Sequence, residues 1–210
     1  MKYKNIYFVN GNAYAGKSTI VKMLANKYNG ILCEENYHNQ LLDTLDPKEF
    51  PGLTYTRDLI DWRHFIRRSP DEYEQWIKIT TKECEQLELL ILDKLINCDR
   101  PIFVDTNISL ETLLKISDKD HVLIMLADPE ISINRFFERE DRDKQFLYKL
   151  LTSENNPTKA LNNFKECLKR INSIESYNYF KDFGFNVIFR DDNRSLDETL
   201  SIAEKKLKLK

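Results

Sequence analysis

Short apolar runs recur along this chain at wide intervals, and the stretches between them carry helical rather than strand spacing. Five stand out: Asn5 to Val9, Ile31 to Cys33, Ile102 to Val104, Val122 to Leu126 and Asn186 to Phe189. Each is rich in Ile, Val, Leu or Phe with little polar alternation, the pattern of strands buried on both faces. Such strands joined by helices predict an α/β fold in three layers, a parallel sheet with helices on both sides. A length of 210 residues favours one domain with insertions over two, so residues 1–210 read as a single unit. Gly (5) and Pro (6) are scarce while 41% of residues are hydrophobic, which excludes collagen-like, low-complexity and mostly disordered chains.

Local chemistry marks several helix starts. Ser69-Pro70-Asp71-Glu72 and Ser195-Leu196-Asp197-Glu198 read as capping boxes, and Asp128-Pro129-Glu130 as a capped start with Pro at the first helical position. One long helix is expected from Ser69 to about Cys98, with Tyr73, Trp76, Ile77, Leu87, Leu90, Ile91 and Leu95 buried. A second is expected from Pro157 to Asp182, stopped by Gly184. About 65 residues separate the second and third strands, far more than an ordinary crossover, so Asn36 to Ile66 reads as a helical insertion over a ligand site.

The charges nearly cancel, 32 Lys+Arg against 34 Asp+Glu, so no global field draws in nucleic acid or an anionic membrane. No apolar run approaches the 18 or so residues of a bilayer span, and the N-terminus enters a strand pattern directly, which reads as a cytoplasmic protein. Cys33, Cys84, Cys98 and Cys167 form no Cys-x-x-Cys pair and read as reduced thiols.

The sharpest motif is Gly11-Asn12-Ala13-Tyr14-Ala15-Gly16-Lys17-Ser18, followed by Thr19, between the first strand and a helical segment. Two glycines let the backbone curl so that N–H groups and a helix N-terminus point at phosphate oxygens. Lys17 can then reach the outer phosphates and Ser18 can ligate magnesium.

This stretch resembles the Walker A motif of the P-loop nucleoside triphosphatases, and the order of elements resembles their nucleotide-kinase-like branch of small-molecule kinases. The resemblance implies a five-stranded parallel sheet in the order 2-3-1-4-5, with ATP bound at the carboxyl ends of the strands. It also implies an acceptor-side insertion at 36–100 and a lid at 135–157. Asp105, ending Ile102-Phe103-Val104-Asp105, stands at the Walker B position and would hold magnesium with Ser18, although an acid there also suits a turn cap before Ser109. The run Arg190-Asp191-Asp192-Asn193-Arg194, before the last capping box, lies where the family's adenine turn falls.

Arg135, Arg139 and Arg142 are spaced four and three apart, so a continuous helix would set them on one face as lid arginines. A solvated face paired with Glu138, Asp141 and Asp143 fits the same spacing. Glu34 and Glu35 follow the second strand, where kinases of this branch keep an acid for the acceptor hydroxyl. Arg57 and Arg63 near Trp62, with Arg67 and Arg68, suit an anionic acceptor. His38 reads as a surface or hydrogen-bonded histidine.

Some features separate the chain from relatives of that branch. The Glu-Arg-Ser run of deoxynucleoside kinases is replaced by Asp105-Thr106-Asn107, and the acceptor residues of shikimate kinase and chloramphenicol phosphotransferase find no counterpart one by one. Asp182-Phe183-Gly184 spells a protein-kinase motif without the rest of that signature. Asn26-Lys27-Tyr28-Asn29 lacks the acid that a guanine-binding motif needs. The expectation is an ATP- and magnesium-dependent phosphotransferase acting on a nucleoside, nucleotide or other hydroxyl-bearing metabolite. The alternatives are an ATP-binding sensor without an acceptor, or a kinase of nucleic-acid ends, which would need a basic groove with interleaved aromatics.

Overall fold

The computed structural model describes residues 3–138 and 142–209. Five parallel strands, β1 (Ile6–Gly11), β2 (Ile31–Cys33), β3 (Ile102–Asp105), β4 (Val122–Leu126) and β5 (Asn186–Phe189), form one sheet in the order β2-β3-β1-β4-β5. This is the α/β order expected. β1 lies at the centre, with Val9 level with Asp105 of β3 and Gly11 level with Met125 of β4, so three strand ends converge where the glycine loop begins.

Alternation along β1 divides the core. Ile6 and Phe8 join Ile102, Val104, Ile124 and Leu126 on one face, beneath α4 (Pro70–Leu95), α5 (Leu110–Ile116) and α9 (Ile174–Asp182). Val9, Phe103, Leu123 and Met125 turn to the other, beneath α1 (Lys17–Lys27) and α10 (Leu196–Lys206). Both faces of the central strands are dry, which is why their sequence shows no polar alternation.

The insertion is helical. A 3-10 stretch, Tyr37–Thr44, leads into α2 (Pro51–Asp58) and α3 (Arg63–Ile66). With the first half of α4, α6 (Pro129–Asn134), α7 (Arg142–Thr152) and α8 (Pro157–Ile171), it builds a third core around Phe65, Tyr73, Leu151 and Phe164. The capping boxes at Ser69 and Ser195 both form, and Asp128 accepts from Glu130 N with Pro129 at the helix start.

Three expectations need correction. The stretch expected as one helix from Pro157 to Asp182 is two, because Ser173 accepts from Ser176 N and starts α9 afresh; Gly184, at φ 103°, then lets the chain leave. Leu90 is 51% exposed, whereas Thr80, Glu83 and Glu88 face inward. Apolar periodicity missed that face because α4 meets loops there whose N–H groups need acceptors. Glu83, for example, takes the N–H groups of Gly52 and Leu53 at 2.9 and 2.8 Å and so satisfies the start of α2. Lastly, Arg135 and Arg142 do not share a helix, since α6 ends at Asn134 and the chain turns through Glu138 N to Arg135 O. That turn lets Phe136 and Phe137 pack on each other and on Phe164. Arg139 lies outside the described residues.

Among the described residues no helix is long and apolar enough to cross a membrane. All four cysteines are free thiols.

Candidate active site

The glycine loop runs from the end of β1 into α1, and its shape follows from backbone that few side chains tolerate. Gly11 has φ 132°, and a Cβ there would sit 1.9 Å from the carbonyl oxygen of Met125. Gly16, the residue before α1, has φ 89°, and Tyr14 takes a left-handed φ of 65°. Backbone cannot yield to a side chain, so Gly11→Ala is expected to cost about 3 kcal/mol or more. Its urea unfolding midpoint should fall accordingly, and a midpoint matching the wild type would contradict this account of the loop.

Neighbouring segments brace the loop. Asn12 Nδ2 donates to Ala127 O at 2.6 Å while Ala127 N donates to Asn12 Oδ1 at 2.8 Å. Ser132 Oγ donates to Ala13 O at 2.9 Å, Arg190 Nη1 to Tyr14 O at 2.7 Å, and Tyr14 OH to Arg135 O at 2.7 Å. With its carbonyls occupied and its ends fixed, the loop is presented at the N-terminus of α1, where the first N–H groups have no partner within the helix and the dipole is positive. An anion is the natural complement of such a site.

Lys17 lies across the loop, its Nζ donating to Asn12 O at 3.1 Å. Ser18 Oγ donates to Asp105 Oδ2 at 2.6 Å, joining the loop to the end of β3. Asp105 is 2% exposed. Burial pushes its carboxyl above the ordinary range; the Lys17 ammonium and the Ser18 hydroxyl oppose that push, and the Glu35 and Glu88 carboxylates add to it. Among the described residues no group of three or more His, Cys, Asp or Glu side chains could enclose a metal ion. The fit to magnesium is nevertheless good, since that ion takes one or two protein oxygens and completes its shell with phosphate oxygens and water. Ser18 and Asp105 would be those protein oxygens.

Among the cavities beside the loop, two matter here. One, of about 250 Å³, is lined by residues 13–19 and, opposite them, by Glu35, Phe136, Lys144, Leu168 and Asn172. The other, of about 320 Å³, lies between the loop and the turn after β5, lined by Ile20, Met125, Ile188, Phe189, Arg190 and Arg194. They share Tyr14, Ala15, Gly16 and Thr19, so the loop is the wall between them.

The structure thus brings the loop, Asp105 and Glu35 together. Glu34 is exposed beside Glu35 but does not line the first cavity. Arg142 begins α7 and is exposed, while Lys144, two residues on, lines that cavity and has its ammonium 5.5 Å from the Phe136 ring. The insertion's arginines turn to protein partners. Arg57 donates to Leu42 O and Leu45 O and forks onto Asp58. Arg67 forks onto Glu154, which Arg63 approaches at 3.8 Å. The Arg68 guanidinium stands 4.1 Å above the Tyr55 ring. None of the four lines the cavity that holds Lys17 and Glu35.

Of the two readings of His38, the structure takes the hydrogen-bonded one: it is buried, at 2% exposure, with Nε2 3.2 Å from the sulfur of Cys84. Sequence reasoning passed over Lys144, one cation in a charged stretch with nothing to set it apart, and the brace made by Asn12, which occupies a variable position of the motif.

In comparisons with known proteins, no family model matches this chain and no curated protein is similar enough to count as a relative.

Proposed function

We propose that this protein is a magnesium-dependent phosphotransferase that moves the terminal phosphoryl group of ATP to a hydroxyl-bearing small molecule in the cytoplasm. The observation that carries this reading is the Ser18–Asp105 hydrogen bond of 2.6 Å beside Lys17, at the mouth of a glycine loop whose first glycine leaves no room for a side chain. The loop N–H groups and Lys17 bind phosphate oxygens, and they do so best as charge builds on the transferring group. Ser18 and Asp105 would hold magnesium, which would supply neutralisation of the phosphate charge. The cavity along β5 takes the donor base against Phe189 and Ile188.

On the acceptor side, Glu35 is the one carboxylate among the described residues that lines the first cavity opposite the loop. Its role is to orient the acceptor hydroxyl and take its proton. Lys144, Arg142 and Arg139 then neutralise charge from the lid segment. A hydroxyl acceptor is favoured over a nucleoside monophosphate because Arg57, Arg63, Arg67 and Arg68 are turned to protein groups rather than to the cavity.

The test is ADP release from magnesium-ATP with pooled nucleosides, nucleoside monophosphates or hydroxylated metabolites against a control without acceptor. One hydroxyl-bearing pool should stimulate release. With that acceptor, Glu35→Gln is expected to lower kcat about 100-fold and leave ATP affinity unchanged. Release at the same rate with every pool and with none would defeat the assignment.

A further inference from the structure

Three glutamates of α4 reach across to two other segments, the start of α2 and the loop from β3 to α5. Glu83 holds the start of α2, and Glu85 accepts from Ser109 N at 2.9 Å at the start of α5. Glu88 caps no helix. Its side chain has 0% exposure, yet both carboxylate oxygens are engaged. Thr106 Oγ1 donates to it at 2.6 Å, and Asn107 donates through its backbone N and its Nδ2 at 3.2 Å. Those two residues directly follow Asp105.

The other side of Glu88 faces the segment after β2. His38, three residues beyond Glu35, sets its Nδ1 3.5 Å from Glu88 Oε1, in contact but longer than an ordinary hydrogen bond. His38 Nε2 lies 3.2 Å from the sulfur of Cys84, one helical turn before Glu88. Burial pushes the Cys84 thiol up to about 12, so it stays neutral and brings no second negative charge here.

A carboxylate taken wholly out of water is expensive, and an apolar side chain of similar volume often serves stability as well or better. What the carboxyl group supplies is position, through several bonds to fixed donors, the shortest from Thr106. From Thr106 the network continues inward. Thr106 N donates to Val9 O at 3.0 Å, Asn10 Nδ2 donates to Ile108 O at 2.7 Å, and Gly11 N donates to Asn10 Oδ1 at 2.6 Å. The chain of bonds therefore runs from Glu88, through the loop that carries Asp105, to the first glycine of the phosphate loop.

We propose that Glu88 is a positioning residue that locks the Asp105–Asn107 loop between the phosphate loop and the segment bearing Glu35, presetting Asp105 and Ser18 for a magnesium-bound nucleotide. The inference rests on the nucleotide reading above but assigns a residue that touches neither nucleotide nor acceptor. Its test is a binding measurement on the whole protein, in which the affinity for ADP is determined by calorimetry in magnesium and again in EDTA.

For Glu88→Gln, which keeps size and shape, the enhancement of ADP binding by magnesium should fall about tenfold while the affinity in EDTA stays unchanged. Thr106→Val removes one bond to Glu88 without touching the carboxylate, along with the acceptor of Ile108 N at 3.0 Å. It should move the same ratio in the same direction, and it stands in should Glu88→Gln fail to fold. An unchanged ratio in a folded variant, or equal weakening in magnesium and EDTA, overturns the role and leaves Glu88 a structural contact. A wild-type protein that binds no ADP overturns the nucleotide reading, and one whose ADP binding gains nothing from magnesium overturns the magnesium site, and this role with either.

Discussion

Lys17→Ala is expected to lower phosphoryl transfer from ATP about 100- to 1000-fold, the cost of removing one preorganised donor from a site of developing negative charge. The melting temperature should change little. Lys17 Nζ makes one hydrogen bond, to Asn12 O, within a loop that Asn12, Ser132 and Arg190 brace from outside. Losing that bond costs about 1 kcal/mol. The effect should fall mainly on kcat, because Lys17 can follow charge onto the oxygens of the transferring group, whereas the loop N–H groups already hold the nucleotide in the ground state. Circular dichroism and steady-state kinetics on one preparation check both halves. A folded Lys17→Ala protein with wild-type turnover would rule out the loop as the phosphate site.

Asp105→Asn separates function from stability in the opposite sense. The carboxyl is buried, and burial holds its pKa above the ordinary range, so its ionised form is costly in the ligand-free protein. An amide of the same shape can still accept from Ser18 Oγ and removes that cost. The ligand-free variant should therefore melt at or above the wild-type temperature. Activity should fall about 100-fold, because one of the two protein oxygens available to magnesium becomes a neutral amide oxygen. Raising magnesium should recover part of the loss. A variant that melts lower than wild type yet keeps full activity would show that Asp105 serves the fold alone.

Much of the scaffold could be read from the chain because its signals are local. Strands buried on both faces leave unbroken apolar runs, and β2, β4 and β5 start and stop at the residues where those runs do. Capping boxes at Ser69 and Ser195 are likewise complete within four residues. The glycine loop is a contiguous motif, so Lys17 and Ser18 were visible, and Asp105 followed from its place at the end of an apolar run.

What escaped is non-local. Whether Arg57, Arg63, Arg67 and Arg68 face a ligand depends on where Asp58, Glu154, Tyr55 and free carbonyls lie, which spacing does not reveal. Leu90 faces outward because the inward face of α4 carries Glu83, Glu85 and Glu88, which accept hydrogen bonds from the start of α2 and from the loop between β3 and α5. A polar face serving distant backbone has no apolar periodicity to announce it. The break at Ser173 was the one local signal overlooked, a serine cap inside a stretch whose helical spacing continued across it.

The most direct measurement of the central claim follows the fate of the terminal phosphoryl group. The protein would be incubated with magnesium and ATP labelled at the γ-phosphate, with the stimulating acceptor pool, and the products separated. The account predicts label on an organic acceptor, lost in Lys17→Ala and in EDTA. Label appearing only as inorganic phosphate, at a rate indifferent to acceptor, would contradict it and mark the protein as a nucleotide-hydrolysing sensor.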